Sequence, residues 1–433
     1  MFGLVAKNTV AQVGARVFFI LFSLVLVRLL TTFLGRDGYG VYGFITAIVL
    51  MAGTVADWGT AIITTREAST HEDKQKRMFG TALTVRLLLS LCALVLVGVV
   101  VRVYPPWREF IIPMTIASFV LVFLSIKTSL VIVFQTFLRL ERSALVEAVG
   151  SAAFVAIAAL FLLRGGGING VMVGWVVATA LSVGFAWVLA RRLTPLVFQF
   201  DVRFFKRLVA EALPMGALLL VFSIYNRIDI IILEHFQGVG VVGIYNLAYK
   251  IHENLILGAA FLMNAAFPIL SHAFARRSSS DIRTLYHKIF GILGLGGFVV
   301  ALLFFIFASP TVRILTGSQY PQFIESVTAL RILVFATFLS YFNHLTGYSL
   351  IAFGKQRVSL LIGILALVFN ASANLLFIPK YSWVAAAAIT VSTEFIVFFL
   401  SSYALWRAIR VLPSLLLLPK TAHELLVKRG KIL

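Results

Sequence analysis

Charge is scarce in this sequence, and acidic charge is scarcer still. Of 433 residues 12% are charged, with 17 Asp or Glu against 37 Lys or Arg. Soluble domains carry about 25% charged residues, so a soluble globular fold is excluded. Cysteine is almost absent: a single residue, Cys92, rules out an internal disulfide and a cysteine-based metal site. Its apolar surroundings suit a small buried hydrophobe. The seven histidines are scattered without metal-ligand spacing, so no metal is expected. P-loop, GxSxG and HExxH patterns are missing, which leaves ATP-driven pumping and hydrolysis without a visible carrier. Long loops are missing too. The longest expected external connection covers residues 310–322, and the longest internal one covers 191–212. Neither holds a soluble catalytic domain, nor the large external loops that a membrane glycosyltransferase or polysaccharide polymerase needs. The chain is therefore expected to be no enzyme, with no catalytic residue.

What is present is apolar. Hydrophobic residues make up 61% of the chain, and they recur in blocks of about twenty, enough to cross a hydrocarbon core roughly 30 Å thick. The first block follows Lys7, is too long for a signal-peptide core, lacks a clear cleavage site, and is expected to stay as a helix. Spans are predicted near residues 10–33, 39–65, 78–101, 113–138, 144–163, 171–190, 213–234, 241–270, 289–309, 323–353, 358–378 and 384–409. This is an all-α integral membrane protein of about twelve helices. Alternate loops sort by charge: one set holds 24 of the lysines and arginines, the other 6, and 7 fall inside spans. By the positive-inside rule both termini are cytoplasmic, in the cell (plasma) membrane. The formal net charge of +20 is thus a mark of topology, and no nucleic acid partner is expected.

The chain also repeats itself. Gly35 to Phe44 reads GRDGYGVYGF and Gly238 to Leu247 reads GVGVVGIYNL, so that Gly40 and Tyr42 align with Gly243 and Tyr245 at an offset of 203. Each opens the second span of its half. The division predicted is a six-helix bundle at 1–190, a cytoplasmic amphipathic linker at 191–212, a second bundle at 213–409, and a basic interfacial tail at 410–433. In the linker Phe204, Phe205, Leu208 and Val209 share a helical face. In the tail Thr421 and Glu424 stand in capping-box spacing. Two halves in the same orientation make a parallel repeat, with substrate held between them.

These residues resemble a known family. Gly38-Tyr-Gly-Val-Tyr42, Asp57-Trp-Gly-Thr-Ala61 and Thr65-Arg-Glu-Ala68 are similar to the first-half signature of O-antigen and polysaccharide-unit flippases. Gly243-Ile-Tyr-Asn-Leu-Ala-Tyr-Lys250, Pro268 and Asn370-x3-Asn374-x4-Pro379 resemble that family's second half. The family belongs to the multidrug/oligosaccharidyl-lipid/polysaccharide exporter superfamily. The resemblance implies a V-shaped pair of six-helix bundles and alternating access. It also implies a substrate, an oligosaccharide on a polyprenyl (pyro)phosphate, moved from the cytoplasmic to the outer leaflet. One departure stands out: after Pro379 the family has glycines, and this chain has Tyr381-Ser-Trp-Val-Ala385.

The cations within spans fit an anionic cargo. They are Arg16, Arg28, Arg86, Lys127, Arg227, Lys250 and Arg331. Each costs roughly 2.5–3.5 kcal/mol at the bilayer centre on insertion scales, so such residues normally face protein or water. Lys127, Arg227, Lys250 and Arg331 are candidates for contacting phosphate or sugar, unless ion pairs within the bundle use them. Arg16 and Arg86 lie nearer the cytoplasmic side as a candidate entrance, and Arg28 lies near enough to the outer end to snorkel. Asn370 and Asn374 are candidates for sugar hydroxyls or for interhelical hydrogen bonds. The acids Glu253, Asp57, Asp229 and Glu394 are candidates for a coupling proton or sodium ion, or else balance the arginines. Glu253, one turn from Lys250, leads that set. No cofactor is expected. Partners are the lipid-linked substrate, membrane lipids and other polysaccharide-assembly proteins. The rival reading is a small-molecule exporter of the multidrug branch.

Overall fold

The computed structural model describes residues 2–195, 199–275 and 279–409; the predicted interfacial tail at 410–433 lies outside them. Helices fill nearly all of this length, and the described residues contain no strand. In hydrocarbon every backbone amide and carbonyl needs an internal partner, and apolar runs of this length meet that need as helices.

The helices are α1 (Phe2–Asp57), α2 (Thr60–Thr70), α3 (Gln75–Val103), α4 (Ile111–Ser118), α5 (Val120–Thr136), α6 (Leu140–Leu163) and α7 (Gly167–Ala190). They continue as α8 (Val202–Tyr225), α9 (Ile228–Gln237), α10 (Val239–Ala275), α11 (Ser279–Ile306), α12 (Ala308–Thr316), α13 (Ile324–Ala352) and α14 (Gln356–Ile409). Nine segments among the described residues are long and apolar enough to cross a membrane, the longest being Phe18–Thr70 and Gln356–Ala408 at 53 residues each. Both long segments bend within a long helix. In α1 the bend is Gly35 (φ 65°, ψ −165°), and in α14 it is Ser382 (φ 55°, ψ −142°). A residue without a Cβ takes the first conformation freely. Ser382 takes nearly the same one in the turn where the sequence departs from its resemblance.

Two compact units result. The first comprises residues 1–243 with 315–319, and the second 244–314 with 320–433. In the first, α1 packs on α6, α6 on α7 and α3 on α5. Its core runs through Ile63, Phe79, Ile132, Val133, Phe204 and Leu208. In the second, α13 packs on α11 and α14. The Phe290 and Phe342 rings stack there at 4.5 Å, among Met263, Tyr286, Leu345 and Leu405. The outer face of α3 shows Leu88, Leu91, Val95, Leu96 and Val99, the apolar surface that lipid requires. Cys92 is exposed on this same helix, so it is a surface residue and not the buried hydrophobe that its surroundings suggest.

Two features of the sequence take a particular form. The segment from Asp201 and the span after it make one helix, α8, whose start is capped by Asp201 Oδ1 accepting from the Arg203 and Phe204 amides at 2.9 and 3.0 Å. Phe204 and Leu208 are buried in the core of the first unit, while Val209 is exposed. The echoed glycines meet each other. A Cβ on Gly40 would overlap the Val239 carbonyl oxygen, and a Cβ on Gly243 would overlap the carbonyl oxygen of Arg36, which is 203 residues before Val239. The contact is reciprocal in the repeat's own offset.

Candidate functional site

The first unit carries a polar seam, built where α1 gives way to α2. Trp58 (φ 42°) and Gly59 (φ 72°) take left-handed backbone there. The Trp58 ring lies so close to α8 that a Cβ on Gly216 would come within 2.5 Å of its Cδ1. This break sets Asp57 beside Arg86 of α3. Arg86 Nη1 donates to Asp57 Oδ1 and, at 3.2 Å, to Thr60 Oγ1, and Nη2 donates to Thr128 Oγ1 of α5. One guanidinium therefore ties four helices. Its side chain is 2% exposed while that of Asp57 is 34% exposed. Beside Thr128, Lys127 donates to Glu147 Oε2 of α6 at 3.1 Å, with side-chain exposures of 16% and 40%. Ionised groups this far inside a span are stable only with a wet or polar neighbour on their open side.

At the far end of α2 the seam closes in a charged clasp. Glu67 is buried, and its carboxylate receives Arg66 Nη2 at 3.0 Å and Arg207 Nη1 at 2.8 Å. Glu211 of α8 receives Arg207 Nε at 2.8 Å and also Arg66 Nη2. Two arginines and two glutamates thus pin α2 to α8.

The second unit holds a separate polar set. Lys250 donates to Glu253 Oε2 at 3.0 Å, one turn along α10, with side-chain exposures of 35% and 24%. His252, on the same turn, is buried and shares a 2.8 Å hydrogen bond with Thr337 Oγ1 of α13. Glu394 of α14 accepts from Ser340 Oγ at 2.9 Å and Asn343 Nδ2 at 2.7 Å, both on α13. Asn370 Nδ2 donates to Thr393 Oγ1 at 3.1 Å and Asn374 Nδ2 to Asn370 Oδ1 at 2.9 Å, with both asparagines buried.

The predicted residues therefore fall into several sets. Arg86 joins the seam with Asp57, while Lys127, next to Thr128 in the chain, pairs separately with Glu147. Arg16 lies in α1, and its side chain is outside the described ones. Arg28 lies against Gly317, with Thr31 Oγ1 donating to the Leu315 carbonyl at 2.7 Å. Arg227 stands at the break between α8 and α9, and Asp229 is buried with its Oδ1 accepting from the Ile230 amide at 2.8 Å. Arg331 is exposed, its guanidinium 5.7 Å from the Phe305 ring centre, beside the exposed Phe335. That setting suits a cation reaching toward an interface. Sequence reasoning missed Glu147, the partner of Lys127, although it lies within a predicted span and the rule that selected the other embedded acids selects it too. The donors Ser340 and Asn343 carried no such signal, because they are defined by helix packing.

Residues 5–274 match the polysaccharide biosynthesis protein family. The chain belongs to that family. Residues 214–376 also match the MatE family. A stretch of 224 residues, 51% of the chain, is 23% identical to an uncharacterized membrane protein of Methanocaldococcus jannaschii and spans 44% of that protein's length. Among solved structures, the inward-facing conformation of a multidrug resistance MATE family transporter of the MOP superfamily aligns with TM-score 0.75 and 15% identity, over 93% of this chain and 99% of that one. Lipid II flippase MurJ in an inward closed conformation aligns with TM-score 0.74 and 10% identity, over 98% and 92%. These likenesses establish the fold: this member of the polysaccharide biosynthesis family is a multi-pass membrane protein with exporter-superfamily architecture.

Proposed function

We propose that the protein moves polyprenyl-(pyro)phosphate-linked oligosaccharides from the cytoplasmic to the outer leaflet by alternating access, for surface polysaccharide or glycan synthesis. Membership of the polysaccharide biosynthesis family over residues 5–274 carries this reading. The physics supports it. Lys127–Glu147 and Lys250–Glu253 are partly buried ion pairs within predicted spans, one in each unit. A carboxylate that neutralises a lysine at rest yields it to a phosphate when cargo arrives, so the cation need not stand bare in the bilayer. Nine apolar segments, the two longest bent and each long enough to cross twice, together with the 37-residue α10 support twelve crossings. We assign the coupling proton or sodium ion to Glu253, since its protonation would free Lys250 one turn away. Normal transport by Glu253→Gln across a range of pH and sodium would remove that assignment.

A second reading, export of small molecules, draws on the MatE match over residues 214–376. A deletion strain separates the two. Loss of surface polysaccharide, with lipid-linked intermediate held in the inner leaflet and rescue by the wild-type gene but not by Lys127→Gln or Lys250→Gln, is the expected result. Normal polysaccharide with altered drug tolerance supports the second reading instead.

A further inference from the structure

Beyond the seam and the ion pairs, the first unit contains a cavity of about 730 Å³ between the start of α3 and the start of α8. Its walls are unusually basic: Lys74, Arg77, Arg203 and Arg207 line it against two carboxylates, Glu67 and Asp201. Both carboxylates are engaged. Glu67 belongs to the clasp with Arg66 and Arg207. Asp201 caps α8, and its carboxyl is held below the usual range, first by the Phe204 amide and then by the Arg203 amide. The wall itself is pinned, since the Asp201 amide donates to Thr81 Oγ1 of α3 at 2.8 Å. Among the described residues the Arg77 and Arg203 guanidinium groups make no ion pair within 4.0 Å, and Lys74 only reaches Asp73 at that limit. Two arginines with planar donor forks thus line a preformed cavity, attracted by the Asp201 carboxylate but without an ion pair to it within 4.0 Å.

The rim adds a second property. Phe200 is 50% and Val202 56% exposed beside these cations, and the Phe200 and Phe205 rings lie 5.3 Å apart. Basic groups above an apolar edge, at the helix ends that carry the chain's excess positive charge, match an anionic head joined to an apolar tail. A guanidinium fork fits phosphate oxygens in pairs.

We propose that this cavity binds a phosphate mono- or diester anion through Arg77, Arg203 and Lys74, presented by an anionic phospholipid or by a soluble phosphorylated compound. The site lies within the first unit and does not rest on the transport reading.

The test uses the full-length protein in nanodiscs of phosphatidylcholine doped with phosphatidylglycerol, with bound lipid counted by native mass spectrometry. Taking an interfacial basic residue at roughly fivefold, Arg77→Gln/Arg203→Gln should retain phosphatidylglycerol about 30-fold more weakly. Arg77→Lys/Arg203→Lys keeps the charge but loses the forks and should recover only part of the loss. Lys355→Gln/Arg357→Gln removes the same charge from another basic turn and should retain lipid as wild type does. A parallel arm in pure phosphatidylcholine adds inorganic phosphate and reads thermal protection. Protection that requires Arg77 and Arg203, with lipid retention indifferent to them, supports the soluble source. Equal lipid loss in both charge-removing variants, or no arginine-dependent effect in either arm, overturns the proposal.

Discussion

Arg86 and Asp57 hold each other on unequal terms. The guanidinium is buried and the carboxylate is one-third exposed. Removing one partner of a buried pair costs about 3–5 kcal/mol, because the other is left charged and unsolvated. That penalty applies when Asp57 is lost. Asp57→Ala leaves Arg86 with only hydroxyl partners, whereas Arg86→Met leaves a carboxylate that water can reach. Asp57→Ala should therefore lower the apparent melting temperature of the purified protein more than Arg86→Met does. The double variant should recover stability relative to Asp57→Ala alone. A larger drop for Arg86→Met would show that the open side of Asp57 is dry. The pairing also bears on legibility: both residues were identifiable from sequence as embedded charges, but their partnership was not, because residues 57 and 86 meet only through the backbone break at Trp58 and Gly59.

At the scale of elements the sequence was more readable. Apolar runs located most helices to within a few residues, since a membrane leaves the backbone no other arrangement. The repeat of Gly40 and Gly243 was legible as an echo, and the structure adds that the two segments are one another's contact. A side chain at Gly40 would meet a carbonyl oxygen of the main chain, which has no rotamer through which to yield. Overpacking usually costs about 1–3 kcal/mol, and Gly40→Ala should reach or exceed the upper end. Gly184→Ala is the control: it meets nothing within 4 Å on α7, and it should be neutral or stabilise by at most about 1 kcal/mol through helix propensity. Equal yields of folded protein from the two variants would dismiss the close crossing. The bend of α14 makes the opposite case. Ser382 holds a backbone conformation that costs an L-residue about 1–2 kcal/mol, so Ser382→Gly should raise the melting temperature, with a net gain of about 1 kcal/mol after the entropy of glycine is counted. No change would mean that the turn relaxes without strain. Less of this was visible beforehand, because the missing glycine marked the turn as different without saying what conformation it kept.

For the whole molecule, the two 53-residue segments carry the argument for the proposed topology. At 1.5 Å per residue an unbroken helix of that length runs about 80 Å, far more than a hydrocarbon core of roughly 30 Å can hold. Either each segment turns back through the membrane at its bend, or most of it stands in water. The exposed apolar side chains along α14, among them Leu361, Leu365, Val368, Phe395 and Phe399, occur on both sides of Ser382 and exclude the second arrangement. We therefore propose two crossings joined at Gly35 and at Ser382, with both turns outside, as the sparse positive charge near those bends favours. The single native cysteine makes this simple to test. In a Cys92→Ser background, Asp37→Cys and Tyr381→Cys should react with a membrane-impermeant maleimide added to intact cells. Lys76→Cys and Lys355→Cys should react only after permeabilisation. Labelling of residue 37 or 381 from the inside alone would overturn the twelve-crossing arrangement and with it the cytoplasmic placement of both termini.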